Sequence, residues 1–376
     1  MINFDNAASG FFKPHSSVEA AYNAMRSLSV NGGRSSHNLA LEAEKLIFST
    51  RKIISETFNN GSVNRVIFTS NCTEALNFAV LGRALSYGEI VTTVTEHNSV
   101  LRPLYHLEDG GVKLKFAGFS DKPYIQTKDL LPLVTKKTDM VVMNAVSNVT
   151  GYKNEYEKIG RHLKRLGIPL VVDGAQAGGH TKIDMKNDCI DCLCLAGHKG
   201  LYSIQGVGVL LFNESFDLDP IKFGGSGTES FMKVPSSYPE RLEAGTLALP
   251  AIASLGAGIK YLAEKQDQIT RTLYDLTETL VVALRNVKGV TLYSEPNPYG
   301  IVSFSLENAD SITLSRYLSE KFDVAVRGGF HCAPKLHEAL NTSLCGLTRA
   351  SLSPFNRESE IADFIKALEY IIKTAL

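Results

Sequence analysis

Between residues 64 and 212 short apolar runs alternate with amphipathic stretches, and nothing else in the chain limits its possible folds so strongly. The runs at 64–69, 89–94, 112–117, 140–145, 169–173, 191–196 and 206–212 have strand length, while 73–85, 100–107, 128–135 and 156–166 repeat apolar residues at helical spacing. Strands that alternate with helices are joined by crossovers, which predicts a mostly parallel sheet covered on both faces. An extended start at 2–6 and two helices, 16–27 and 38–58, come first, with the loop Asn31-Gly32-Gly33-Arg34-Ser35-Ser36-His37 between the helices. The pattern changes at Leu249-Pro250. A long helical region runs to about residue 285, followed by strands at 290–293, 301–306, 324–327 and 347–352, a helix at 311–321 and a terminal helix at 358–376. That mixture predicts a smaller α+β domain, so 16–250 is expected to form the large α/β domain and 1–15 with 251–376 the small one. No internal repeat or low-complexity segment interrupts the pattern.

Charge narrows the function. The 376 residues carry 39 basic and 39 acidic side chains, with no run of like charge, which argues against a general nucleic-acid or anionic-membrane surface. The start Met1-Ile2-Asn3-Phe4-Asp5 has neither a basic nor an apolar leader region, and no apolar run approaches spanning length, so a cytoplasmic protein is expected. Six cysteines in a chain this long do not make a disulfide scaffold. Cys189, Cys192 and Cys194 invite a metal reading, but Cys192 and Cys194 lie two apart in an apolar strand, where cysteine packs as a small hydrophobe, and no second ligand pair sits at zinc-like spacing.

In an open parallel sheet ligands bind beyond the carboxyl ends of the strands. At the first such end, Thr69-Ser70-Asn71-Cys72-Thr73-Glu74, Asn71 and Glu74 have capping-box spacing, and the helix start serves equally as a phosphate site or as a plain cap. His97 follows the second strand, either as a satisfied core histidine or as a functional ring. Asn148 follows the third, as a neutral amide or as a turn residue. Asp173 closes the apolar run Leu170-Val171-Val172, where an unpartnered carboxylate is costly. Its partner is either Lys199, in a plain salt bridge, or a bound cationic heterocycle that leaves Lys199 free for covalent work. His180 reads as structural. Lys199 itself, in Gly197-His198-Lys199, lies just past a buried strand, a poor position for a solvated charge. An anion site at a helix start, a buried acid, a flat imidazole and a lysine are together the parts that pyridoxal phosphate requires.

With those parts assembled, the chain resembles the class V family of pyridoxal-phosphate enzymes, specifically its cysteine desulfurases and selenocysteine lyases. The resemblance rests on Phe4-Asp5-Asn6-Ala7-Ala8, Thr95-Glu96-His97, Val146-Ser147-Asn148, Val172-Asp173-Gly174-Ala175-Gln176 and Gly197-His198-Lys199. It continues through Arg241-Leu242-Glu243-Ala244-Gly245-Thr246, Arg327-Gly328-Gly329-Phe330-His331-Cys332-Ala333-Pro334 and Thr348-Arg349-Ala350-Ser351-Leu352. It implies an α/β, fold-type I architecture, with a large mostly parallel-sheet domain and a smaller α+β C-terminal domain. It also implies that Lys199 is the Schiff-base lysine and moves the substrate α-proton, that Asp173 pairs with the pyridinium nitrogen, that Gln176 bonds the phenolic oxygen and that His97 stacks on the ring. Asn148 would sit near that oxygen and the substrate. Cys72, Thr73 and His198 would belong to the cofactor-binding set, Thr73 and His198 at the phosphate, with Thr246 arriving from the second subunit of a homodimer.

Two further residues decide the reaction that the resemblance implies. Arg349, in a small and otherwise apolar strand, matches the arginine that grips the substrate carboxylate, a task suited to its planar fork. Cys332, flanked by glycines, histidine and proline, is on a loop and matches the desulfurase nucleophile, where a nearby base or positive field would raise its thiolate fraction. The expected activity is removal of sulfur from L-cysteine, giving L-alanine and a persulfide on Cys332. The short connection between Cys332 and Arg349 resembles the subgroup without a long mobile cysteine loop, so a sulfur-acceptor protein is an expected partner. Alternatives are a selenocysteine lyase or another C–S lyase or transaminase and, more distantly, a non-catalytic binding module. The chain departs from its relatives at Ala196, where many have a phosphate-binding serine, at Ser203-Ile204, where Gly-Pro is usual, and at Ala248, where asparagine is common.

Overall fold

The computed structural model describes residues 1–32, 35, 37–83 and 88–374. The amino-terminal part contains β1 (Ile2–Asn3), α1 (His15–Ser27), α2 (Asn38–Phe58), β2 (Val66–Thr69), α3 (Cys72–Leu81), β3 (Glu89–Thr93) and α4 (Asn98–Asp109). It continues with β4 (Lys113–Ala117), α5 (Thr127–Leu130), β5 (Thr138–Asn144), α6 (Tyr156–Leu166), β6 (Leu170–Asp173), β7 (Cys192–Ala196) and β8 (Gly208–Phe212). The remainder comprises α7 (Leu249–Arg285), β9 (Val290–Leu292), β10 (Ile301–Leu306), α8 (Ser311–Phe322), β11 (Val324–Ala325), α9 (Pro334–Ala339), β12 (Thr348–Ser351) and α10 (Glu358–Thr374).

Seven of these strands form one sheet among the described residues, in the order β2-β8-β7-β6-β5-β3-β4. From β7 to β4 all neighbours pair in parallel, as the alternation predicts, and β8 alone runs against its two neighbours. The reason is the connection: β7 and β8 are joined by a loop that carries no helix, too short for the crossover that a parallel pair needs. Every residue of β2, β6, β7 and β8 is buried, as expected of strands covered on both faces. Cys192 and Cys194 join Cys72, Ala75 and Leu76 in one apolar cluster, packed as small hydrophobes, whereas Cys189 lies outside the strand at a positive φ of 58°.

Three segments differ from expectation. The helix expected over 128–135 stops at Leu130 and continues as a 3-10 turn, Leu131–Leu133, where Pro132 removes a backbone donor. The strand expected from residue 64 begins at Val66, after another 3-10 turn. Helix α9 was not anticipated; it opens on Pro334, whose fixed φ suits a first helical turn. Helix α3 ends at Leu81, and residues 84 and 85 of its expected span lie outside the described residues, as do residues 33, 34 and 36 of the loop before α2 and residues 375 and 376 of the last helix.

The carboxyl-terminal strands make a separate antiparallel sheet, β12-β10-β9, while β1 pairs in parallel with β11. The amino-terminal segment is thereby tied to the far end of the sequence: the amide of Ser351 donates to the carbonyl of Phe4, and the amide of Asn6 to the carbonyl of Ser351 at 3.2 Å. No helix among the described residues is long and apolar enough to cross a membrane.

Candidate active site

Strands β5, β6 and β7 point their carboxyl ends at a cavity of about 220 Å³. Asp173, the last residue of β6, lies on its floor. Oδ1 of Asp173 accepts the amide of Ala175 at 2.9 Å and faces the thiol of Cys72 at 3.7 Å; Oδ2 has no partner among the described residues. Burial pushes this carboxyl above its usual range, opposed by the Ala175 amide, Lys199 and Cys72. Lys199 also lines the cavity but forms no ion pair within 4.0 Å of Asp173, which removes the plain salt bridge from the readings open in the sequence. Burial lowers the lysine's pKa, the positive charges of Arg349 and Arg327 add to that effect, and Asp173 and Cys72 oppose it. An amine held this way spends more time uncharged and nucleophilic.

The start of α3 forms one wall. Asn71 caps the helix by accepting the amide of Glu74 at 2.9 Å, but the Glu74 carboxylate reaches back to Ser70 (amide at 2.5 Å, hydroxyl at 2.7 Å), not to Asn71, so the expected capping box is displaced by one residue. The amides of Cys72 and Thr73 have no partner among the described residues, and both residues line the cavity. Gly208 lets β8 approach this turn: a Cβ there would meet the Cys72 nitrogen at 2.7 Å. Free amides at a helix start are suited to an anion. His198 flanks the same cavity, its Nδ1 3.1 Å from the Ser9 hydroxyl, and burial lowers its pKa to about 4.

His97 caps α4. Its Nδ1 accepts the Ser99 amide at 3.0 Å, which puts the proton of the neutral ring on Nε2. Ser99 links it onward, with its hydroxyl 2.9 Å from His97 Nδ1 and 2.7 Å from that of Thr73. Burial, reinforced by Lys199 and the nearby arginines, lowers the imidazole to about 4, so the ring is neutral at physiological pH. Beneath it Glu96 is fully buried. Oε1 accepts from Thr93 at 2.5 Å and from the Asn144 amide at 3.0 Å, while Oε2 is enclosed without a partner.

Arg349 is 1% exposed. It donates to the carbonyl of Asn148 at 2.8 Å and pairs with Asp5 at 3.0 Å, leaving Nε unpartnered. Burial lowers it to about 10, against the pull of Asp5, so it remains charged at neutral pH. Asn148 donates to the carbonyl of His331 at 2.8 Å, and its own Oδ1 is buried with no partner. Gln176 donates to the carbonyl of Ala7 at 3.0 Å, so the first residues of the chain roof the cavity.

Cys332 is half-buried in an adjoining opening that it shares with His97, Ser99, Thr73 and Arg102. Its neighbour is a cation: Nη2 of Arg327 lies 3.8 Å from Sγ. The imidazole of His331 is committed elsewhere, with Nε2 3.0 Å from the Leu347 carbonyl, and burial lowers its pKa to about 2. Of the two neighbours anticipated from sequence, a base or a positive group, the geometry supplies the positive group, Arg327. Thr246 is exposed and does not line the cavity of its own chain, its hydroxyl being 3.4 Å from Asn31. The segment that carries it is anchored by a buried pair, Arg51 to Glu243 at 2.8 Å. His180 packs edge-on against Tyr299, away from the cavity.

Ala196 lines the cavity without a hydroxyl. Ser203 and Ile204 bind α7 through Ala251 (2.9 Å) and Ser254 (3.1 Å), and Ala248 precedes α7 with no side-chain cap. Sequence reasoning assigned no role to Arg327, Asp5, Ser99 or Glu96, although each lies within a motif or beside one. Arg327 was detectable from its place at the end of a strand, next to a glycine pair; it forms a bridge opposite Arg349.

Amides, a carboxylate oxygen and a lysine without partners among the described residues, with the orphaned Asn148 Oδ1, together fit a planar, anionic, cationic-ring cofactor such as pyridoxal phosphate. The comparisons agree. The model of the family described as Aminotransferase class-V matches residues 2–364. A probable cysteine desulfurase of Pyrococcus abyssi is 31% identical over 392 residues, covering 100% of this chain and 95% of the relative. The apo structure of a cysteine desulfurase from Thermococcus onnurineus NA1 superposes with a TM-score of 0.91 at 30% identity, covering 99% of this chain and 94% of that one. The cysteine desulfurase CsdA of Escherichia coli, solved with an S-sulfonic acid, has a TM-score of 0.87 at 25% identity, covering 99% and 94%. A match over this length, together with the site just described, means that the chain belongs to the aminotransferase class-V family.

Proposed function

We propose that the protein is a pyridoxal-phosphate-dependent cysteine desulfurase that converts L-cysteine to L-alanine and leaves a persulfide on Cys332. The observation that carries this reading is the convergence of Lys199, Asp173 and Arg349 on one cavity, with Cys332 in the next opening behind His97. When bound, pyridoxal phosphate supplies an electrophilic carbon for an amine and a sink for the electrons released at Cα. Lys199 would tether it, and its Nζ would move the α-proton. Asp173 would hold the ring nitrogen, Gln176 and Asn148 would serve the oxygen-bearing side, and His97 would lie against the ring. Thr73, the amide of Cys72 and His198 would receive the phosphate. Arg349, with Nε unpartnered, orients the substrate carboxylate, and its pairing with Asp5 holds the fork in place. Sγ of Cys332, beside Arg327, would form a bond to the substrate sulfur as the carbon–sulfur bond breaks, and a proton taken up at Cβ with one returned to Cα by Lys199 would complete alanine.

A homodimer belongs to the same reading. Thr246 is exposed outside its own cavity, while Val18, Tyr22 and Met25 give α1 an exposed apolar stripe at helical spacing, as a shared interface requires. The opening around Cys332 suits hand-over of the persulfide to an acceptor protein. The domain division at 16–250 against 1–15 with 251–376 is proposed on the pairing of β1 with β11, and a cytoplasmic setting on the sequence. The test is incubation with L-cysteine followed by mass spectrometry of the intact chain and its peptides. One added sulfur on the Cys332 peptide, absent from Cys332→Ser, is expected; full persulfide yield in that variant would overturn the assignment.

A further inference from the structure

We propose that Cys72 is a positioning residue for the cofactor: its thiol hydrogen bonds to Oδ1 of Asp173 and so reserves Oδ2 for the ring nitrogen. This rests on the reading that the cavity takes pyridoxal phosphate. Cys72 occupies the first position of α3 with Sγ 3.7 Å from Oδ1, which also accepts the Ala175 amide at 2.9 Å. Both donors therefore fall on one oxygen of a carboxylate that lines the cavity and whose other oxygen has no partner among the described residues. A carboxylate that turned about its Cβ–Cγ bond would offer either oxygen, or neither, to an incoming ring; two donors on one side remove that freedom. The thiol keeps its proton, since burial and then the Asp173 charge push it well above its ordinary range. Thiols are weak donors, so the group orders the acid without neutralising it. Cys192 and Cys194, in the same apolar cluster, have no such contact with Asp173 and serve as packing.

The test compares Cys72→Ala and Cys72→Val, which remove the donor with and without loss of volume, and Cys72→Ser, which retains a donor. Two quantities are read: the affinity of cofactor-free protein for pyridoxal phosphate, and the pH midpoint of the bound cofactor's visible absorption. The alanine and valine variants are expected to bind about three- to tenfold more weakly and to shift the midpoint by about 0.3 units or more, with serine within about twofold of wild type. Alanine and valine variants matching wild type, or a serine variant as impaired as valine, would overturn the role. If wild-type protein binds no pyridoxal phosphate, the cofactor reading fails instead. The thiol–carboxylate bond is then judged without cofactor, because Asp173→Asn should speed alkylation of Cys72 about three- to tenfold, read on its peptide, and an unchanged rate would overturn it.

Discussion

Lys199 and Asp173 follow strands in the interior of a seven-stranded sheet, whereas Cys332 rides on the loop between β11 and α9, where His331 and Cys332 both adopt positive φ values of 48° and 58°. The first pair is held by neighbouring strands on both sides. Among the described residues Cys332 is held by one backbone bond, from the Asn98 amide to its carbonyl at 2.7 Å, and by the approach of Arg327. A cofactor that stays for many turnovers calls for a rigid seat, and a sulfur carrier that meets first a substrate and then an acceptor calls for a less constrained one. Arg349 joins the two regions, since its strand is in the small sheet and its guanidinium reaches the Asn148 carbonyl at the large one.

Perturbing each region should separate the functions. Lys199→Ala removes the tether and the base together, so alanine formation should fall by about a thousandfold or more and the visible band of the bound cofactor should disappear. Cys332→Ser should lower sulfur transfer by about a hundredfold or more while the visible band remains; a band lost with Cys332 would break the distinction drawn here. Arg349→Lys keeps the charge but loses the fork, and should raise KM for cysteine about ten- to a hundredfold with cofactor affinity little changed, as steady-state kinetics and a binding titration would show.

The smallest effect concerns Glu96, which burial raises to about 8 from the ordinary 4.5. The folded state then holds a proton that the unfolded chain has released, so this group's stabilisation is complete below pH 4.5 and is lost as pH rises through 8. Glu96→Gln imitates the protonated acid. Its melting temperature should exceed that of wild type by a few degrees near pH 8, and the gap should close towards pH 5; a gap independent of pH would remove the proton from the explanation.

Much of the large-sheet half was legible because its chemistry sits where apolar runs stop: Asp173 after Leu170-Val171-Val172 and Lys199 after β7 are marked by a change of polarity. The antiparallel course of β8 was marked only by the short connection after β7, since an apolar strand itself reads alike in either direction. The partners of the functional residues were least visible. Asp5 and Arg349 meet across 344 positions of sequence, and no local pattern in either segment announces the pair. The bond from Cys72 to Asp173 and the relay from Thr73 through Ser99 to His97 likewise depend on α3 and α4 lying side by side above the sheet. Spacing identifies the helices but not that contact.

The tie between the amino-terminal segment and β12 has a consequence for how the protein is made. Asp5, Asn6 and Ala7 precede the large sheet in sequence, yet Asn6 and Ala7 bond to Ser351 and Asp5 to Arg349, both of which follow it. The corner formed by Asp5, Arg349 and Ser351 cannot assemble during translation of the large sheet, and contacts of such long range close slowly. A nascent chain therefore acquires the strand end that carries Asp173 well before it can bury Arg349 against Asp5.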